Sequence, residues 1–151
     1  MKYAGTLIAV ADMEKSKRFY REVLGLAVVA DFGANVTLEG GIFLQTMDTW
    51  KSFVRTDQVV LPNHAGELYF EEDDIESFCL RLQRFGIRFV HGLFEHPWGQ
   101  RVVRFYDPDY HVIEVGEKME AVVSRFVRQG LTPEETAARM DVPLDYVRSF
   151  L

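Results

Sequence analysis

A chain of 151 residues, 48% hydrophobic and 26% charged, has the balance of an ordinary globule built as one domain or two small fused halves. Its formal net charge of −6 and pI near 5.2 argue against a broad nucleic-acid or anionic-membrane footprint, which needs clustered lysine and arginine. The single cysteine, Cys79, excludes an internal disulfide and fits a reduced, cytoplasmic setting; no stretch approaches the ~18 consecutive apolar residues of a membrane span.

Tyr3 to Val10 is apolar and β-branched enough for a buried strand. Asp12 is a good helix N-cap, and "MEKSKRFYREVL" puts Met13, Phe19 or Tyr20, Val23 and Leu24 on one face before Gly25 ends the helix. "LAVVAD", "ANVTLE" and "GIFLQT" read as three short strands turned by Gly33 and Gly40-Gly41. Residues 47–65 read as a connector, with Asp48 capping a short helix "TWKSFVR" that ends before Pro62. The pattern then begins again. "ELYFEE" is a strand, Asp73 or Asp74 a cap, and "IESFCLRLQRF" a helix burying Ile75, Phe78, Cys79, Leu82 and Phe85, stopped by Gly86. "IRFVHG", "RVVRFYD" and "HVIEVG" are three more strands.

Residues 3–46 and 66–116 therefore share one order, β-α-β-β-β, and the starts Asp12-Met13-Glu14 and Asp74-Ile75-Glu76 correspond. Two such halves side by side would curl their sheets around a shared cleft. Residues 117–151 form a separate helical extension: "KMEAVVSRFVRQG", then "LTPEETAARM" with Thr132 and Glu135 spaced as a capping box and Pro133 at the first helical position, then "PLDYVRSFL". The last two segments have a loose helix-turn-helix outline. "PLDYVRSFL" lacks the basic residues that reading DNA requires, so packing or dimerisation is the expected role.

The paired modules, "FYREVLG" after an early Asp, and the late "FYDPDYHVIEVGE" together resemble the vicinal oxygen chelate superfamily. That group includes glyoxalase I, bleomycin-resistance proteins and extradiol dioxygenases. The resemblance spans residues 3–116. It implies an α+β fold: two β-α-β-β-β modules pairing into a half-open mixed β-barrel around a cleft, here followed by the helical extension. It also implies a homodimer and a small-molecule ligand, with metal ligands drawn from the first and last strands of each module. The matching positions are Gly5, Gln45, Glu67 and Glu114. Gly5 supplies no ligand. Gln45, Glu67 and Glu114 suit a hard ion such as Mg²⁺ or Mn²⁺ better than Zn²⁺; the expected cofactor is a divalent metal (Mg, Mn, Ni or Zn) or none.

Strand alternation sends Ile113 and Val115 to one face and Val112 and Glu114 to the other, and puts Tyr69 on the face of Glu67. Glu67 and Glu114 are the candidate catalytic bases or metal ligands; the competing reading pairs them with Arg101 or Arg104 on neighbouring strands. Tyr69 is a candidate ligand hydroxyl or a core filler. In the loop "EHPWGQR", His96, Trp98 and Arg101 are candidates for the cleft mouth, Trp98 stacking on a flat ligand and Arg101 pairing with an anion. The alternative packs Trp98 on the sheet edge. His64 is a further candidate to swing toward Glu67. His91 and His111 read as surface residues at strand ends. Three functions stay open: metal-dependent glyoxalase-type lyase or isomerase chemistry; non-catalytic, antibiotic-type binding without metal; and a regulatory or scaffolding subunit joined through residues 117–151.

Overall fold

The computed structural model describes all 151 residues. Two compact units divide the chain: residues 1–66 with 106–112, and residues 67–105 with 113–151.

In the first unit the elements are β1 (Thr6–Val10), α1 (Met13–Leu24), β2 (Val28–Asp31), β3 (Asn35–Leu38), β4 (Ile42–Thr46) and α2 (Met47–Val54). The sheet order is β1-β4-β3-β2, with β1 parallel to β4 and the other pairs antiparallel. Asp12 caps α1 by accepting from Lys15 N, and Gly25 ends it in the left-handed region. Tyr20 and Val23 are buried as expected, while Met13 and Leu24 are only half-buried. Helix α2 starts at Met47, so Asp48 lies inside its first turn rather than capping it.

The turn 106–112 belongs to this unit through two acids. Asp107 Oδ1 accepts from the backbone N–H groups of Asp109 and His111, and its Oδ2 from Tyr20 Oη at 2.9 Å. His111 Nδ1 stands 2.8 Å from the same Oδ2. Asp109 accepts from Ala11 N at 2.9 Å and Ser16 Oγ at 3.3 Å. The left-handed residue of the turn is Tyr110 itself, at φ +67°. His111, read in sequence as a surface residue, is thereby tied into a buried network.

In the second unit β5 (Glu67–Glu72), β6 (Phe89–Glu95), β7 (Arg101–Tyr106) and β8 (Val112–Glu117) form a sheet in the order β5-β8-β7-β6, which repeats the first sheet strand for strand. Helix α3 (Ile75–Leu82), capped by Asp74, buries Ile75, Phe78 and Leu82. The chain tightens to a 3₁₀ turn at Gln83–Phe85, and this rotation leaves Phe85 exposed where a longer α-helix would have buried it. Cys79 is half-buried, and burial pushes its thiol pKa up.

Helices α4 (Met119–Arg128), α5 (Pro133–Met140) and α6 (Leu144–Arg148) complete this unit. They share a core of Val122, Val123, Phe126, Ala137, Met140 and Val147. The capping box at Thr132 and Glu135 is present. The α+β class, the repeated modules and the C-terminal helices are thus as the sequence predicts. No helix is long and apolar enough to cross a membrane.

Replacing Tyr20 with Phe removes a hydrogen bond to a buried carboxylate. The expected loss is about 2 kcal/mol of stability, read from urea unfolding.

Candidate functional site

Period-2 alternation decides which side chains of the second sheet meet. Glu72 of β5 pairs with Arg81 of α3, and Phe105 of β7 packs 6.1 Å, centroid to centroid, from Phe78 of α3. Leu68, Phe70, Val103 and Phe105 therefore face the helix. Glu67, Tyr69, Arg104 and Glu114 take the opposite face.

On that face one side chain from each strand forms a row: Glu67 (β5), Glu114 (β8), Arg104 (β7) and His91 (β6). Arg104 is the hub. Its Nε donates to Glu67 Oε2 at 2.8 Å and its Nη2 to Glu67 Oε1 at 3.4 Å. Nη2 also pairs with Glu114 Oε2, and Nη1 lies 3.3 Å from His91 Nε2. Guanidinium only donates, so His91 Nε2 accepts. The proton is then on Nδ1, 2.7 Å from the Gly92 carbonyl, and the imidazole is neutral. Glu114 is 6% exposed, and its position among Val112, Ile113 and Val115 is explained: its counter-ion arrives from the adjacent strand.

From His91 a run of rings leads to the β6–β7 turn. His91 and Phe94 lie 6.0 Å apart, Phe94 and His96 meet edge to face at 5.2 Å, and His96 stacks on Trp98 at 4.1 Å and 10°. The turn is tight, with His96 N bonded to Gln100 O and Gly99 N to His96 O, both at 2.8 Å. Trp98 Nε1 donates to Gln100 Oε1 at 3.3 Å, and Gln100 Nε2 donates to Tyr69 Oη at 3.1 Å and to the Glu117 carbonyl at 2.9 Å. Phe94 (51%), Tyr69 (49%) and Trp98 (39%) stay exposed, so apolar ring surface is open to a ligand. Burial, with help from the Arg104 charge, lowers the His96 pKa and favours its neutral ring. Burial raises the Tyr69 pKa; the Gln100 hydrogen bond opposes this and the nearby Glu71 adds to it.

Tyr69, His96 and Trp98 are therefore brought together. Arg101 is not. Alternation from Val103 and Phe105 turns it to the helix-bearing face, where Nη2 pairs with Glu117 at 2.6 Å and Nη1 with Glu76 at 2.5 Å. His64 is engaged by Tyr106, Nε2 to Oη 2.5 Å. Arg104 is a partner that the competing reading named for Glu67 and Glu114; His91 and Phe94 as parts of the face were not singled out from the sequence. Their signal is pairing: His91 and Arg104 are cross-strand partners, and register shifts on both sides of His91 hide this.

The residues present do not fit a divalent cation. Gly5 sits at φ +148°, and a Cβ there would lie 2.0 Å from the Gly41 carbonyl oxygen, so no ligating side chain is accommodated. The amide oxygen of Gln45 accepts from Asn35 at 2.8 Å and its nitrogen donates to Thr49 Oγ1. Glu67 and Glu114 share Arg104. No group of three or more His, Cys, Asp or Glu side chains is placed to hold an ion.

A glyoxalase-like domain model matches residues 3–120. The chain belongs to the glyoxalase-like family. The family match ends two residues into α4, so α5 and α6 lie beyond it. A protein of unknown function from Agrobacterium tumefaciens str. C58 is 36% identical, with a TM-score of 0.70 over 78% of this chain and 94% of that one. A lactoylglutathione lyase from Agrobacterium tumefaciens is 26% identical, with a TM-score of 0.61 over the same shares. A glyoxalase-related enzyme from Fulvimarina pelagi shares the fold at 22% identity and a TM-score of 0.66, over 78% of this chain and 88% of that one. No similar sequence was found among curated proteins.

In this glyoxalase-like chain Glu117 joins the second sheet to the helical extension. It is 2% exposed and bonded to Arg101 and, at 3.1 Å, to Arg125. Burial pushes its pKa up, but the two arginines outweigh that and hold it below the ordinary 4.5. A lowered carboxylate pKa stabilises the fold above the ordinary value, and this stabilisation is lost as pH falls through the folded-state value. Stability should therefore decline below about pH 4.5. The Glu117→Gln variant should show a flatter acid limb in thermal unfolding; an identical limb would remove Glu117 from this role.

Proposed function

We propose that this chain binds a small organic ligand on the ring-lined face of its second sheet, and does so without a divalent metal. The supporting observation is Arg104: a guanidinium held by Glu67 and Glu114 supplies the positive charge that these acids need. The face then carries two carboxylates, one guanidinium and a neutral His91 beside Phe94, His96, Trp98 and Tyr69. Covering about 100 Å² of ring surface is worth roughly 2.5 kcal/mol, short of the ~4 kcal/mol of millimolar binding. The Tyr69 hydroxyl and the partly exposed Glu67 are the groups that add affinity and fix orientation.

A second reading is glyoxalase-type lyase or isomerase chemistry, with Glu67 or Glu114 removing a proton next to a carbonyl. Similarity to the Agrobacterium lactoylglutathione lyase favours it. It requires one carboxylate to turn from Arg104 toward substrate.

The two readings separate in one set of measurements. Protein purified without added metal should contain no stoichiometric Mg, Mn, Ni or Zn and show no thermal shift with any of them. N-phenyl-1-naphthylamine, a neutral flat fluorophore, should bind saturably in the presence of EDTA, and Trp98→Ala combined with Phe94→Ala should weaken it about tenfold. Metal-dependent conversion of lactoylglutathione that is lost in Glu114→Gln would overturn the metal-free reading and establish the second.

A further inference from the structure

The turn that carries His96 and Trp98 is gripped from outside the glyoxalase-like match. Arg125 of α4 donates through Nη2 to the Gly99 carbonyl, and Arg139 of α5 donates through Nη1 to the Pro97 carbonyl. Both arginines also reach Glu95, Arg139 at 2.9 Å and Arg125 at 3.5 Å. The Phe126 ring lies under both guanidinium groups, 4.8 Å from that of Arg125 and 5.4 Å from that of Arg139. Phe126 also fills the place where a side chain at position 99 would go. A Cβ on Gly99, at φ +89°, would stand 2.3 Å from the Phe126 Cζ. Glycine is needed there twice over, once for the turn and once for the helix that packs on it.

Every turn residue from 95 to 100 is thus held by the extension or by its own hairpin. A lone turn with exposed rings would sample several rotamers and backbone states. Here two planar forks read two carbonyls and fix the Pro97–Trp98 and Gly99–Gln100 peptide planes. The ring that Trp98 presents is then set before any ligand arrives, which lowers the ordering cost of binding.

We propose that the C-terminal helices are a positioning device, in which Arg125 and Arg139 lock the β6–β7 turn so that Trp98 and His96 form a rigid ligand wall. The ligand part of this rests on the reading of the ring-lined face as the binding site; the positioning part does not.

The test uses the full chain with Trp50→Phe, so that Trp98 is the sole tryptophan. Arg139→Gln should speed amide exchange of residues 96–100 about tenfold, the effect of losing one charge-assisted hydrogen bond. Acrylamide quenching of Trp98 should rise, exchange in β5 and α3 should not change, and the Kd for N-phenyl-1-naphthylamine should rise by a similar factor. Arg139→Lys, which keeps the charge but not the fork, should fall between the two and serves if Arg139→Gln folds poorly. Turn exchange at the parental rate in both variants overturns the proposal, as does acceleration spread evenly over the whole unit. Probe binding that ignores Trp98→Ala brings down the ligand-face reading alone, since the exchange measurement needs no ligand.

Discussion

One guanidinium organises the second sheet. Arg104 lies on β7, reaches Glu114 on the next strand and Glu67 on the strand beyond, and touches His91 on its other side. Removing a buried carboxylate from water costs several kcal/mol unless a partner compensates, so Glu114 among valines and isoleucine requires such a cation. A metal ion is one way to supply it. Here an arginine on the adjacent strand supplies it.

The rings depend on that row. Neutral His91, fixed as an acceptor by Arg104, begins the series that passes through Phe94 and His96 to Trp98. At the far end Glu117, Arg101 and Arg125 tie the sheet to the helices, and Arg139 ties the helices back to the turn. The exposed aromatic surface is therefore bounded by ion pairs at both ends. The rings face outward, while the acids and bases mostly satisfy one another.

Much of the architecture was legible because local signals agreed. Asp12 and Asp74 cap helices, Gly25 and Gly86 close them, and the two sheets repeat one strand order. Alternation alone put Glu67 with Tyr69 and set Glu114 apart from Ile113 and Val115. What failed was register. Arg101 and Arg104 lie three apart on one strand and so face opposite ways, and which of them joins Glu114 depends on how β7 and β8 align. That alignment is set by a turn whose left-handed residue is a tyrosine. The irregular pairing of β6 concealed His91 in the same way. The grip on Pro97 and Gly99 had no sequence signature, because its acceptors are backbone carbonyls.

The central claim is that Arg104 is the internal counter-ion of both acids. Urea unfolding of Arg104→Met, compared with the triple variant Arg104→Met, Glu67→Gln, Glu114→Gln, tests it most directly. The single variant strands a buried carboxylate and should lose about 3 kcal/mol, while the triple variant, with no charge left to compensate, should regain most of it. A single variant as stable as the parent, or a triple variant no better than the single, would contradict it.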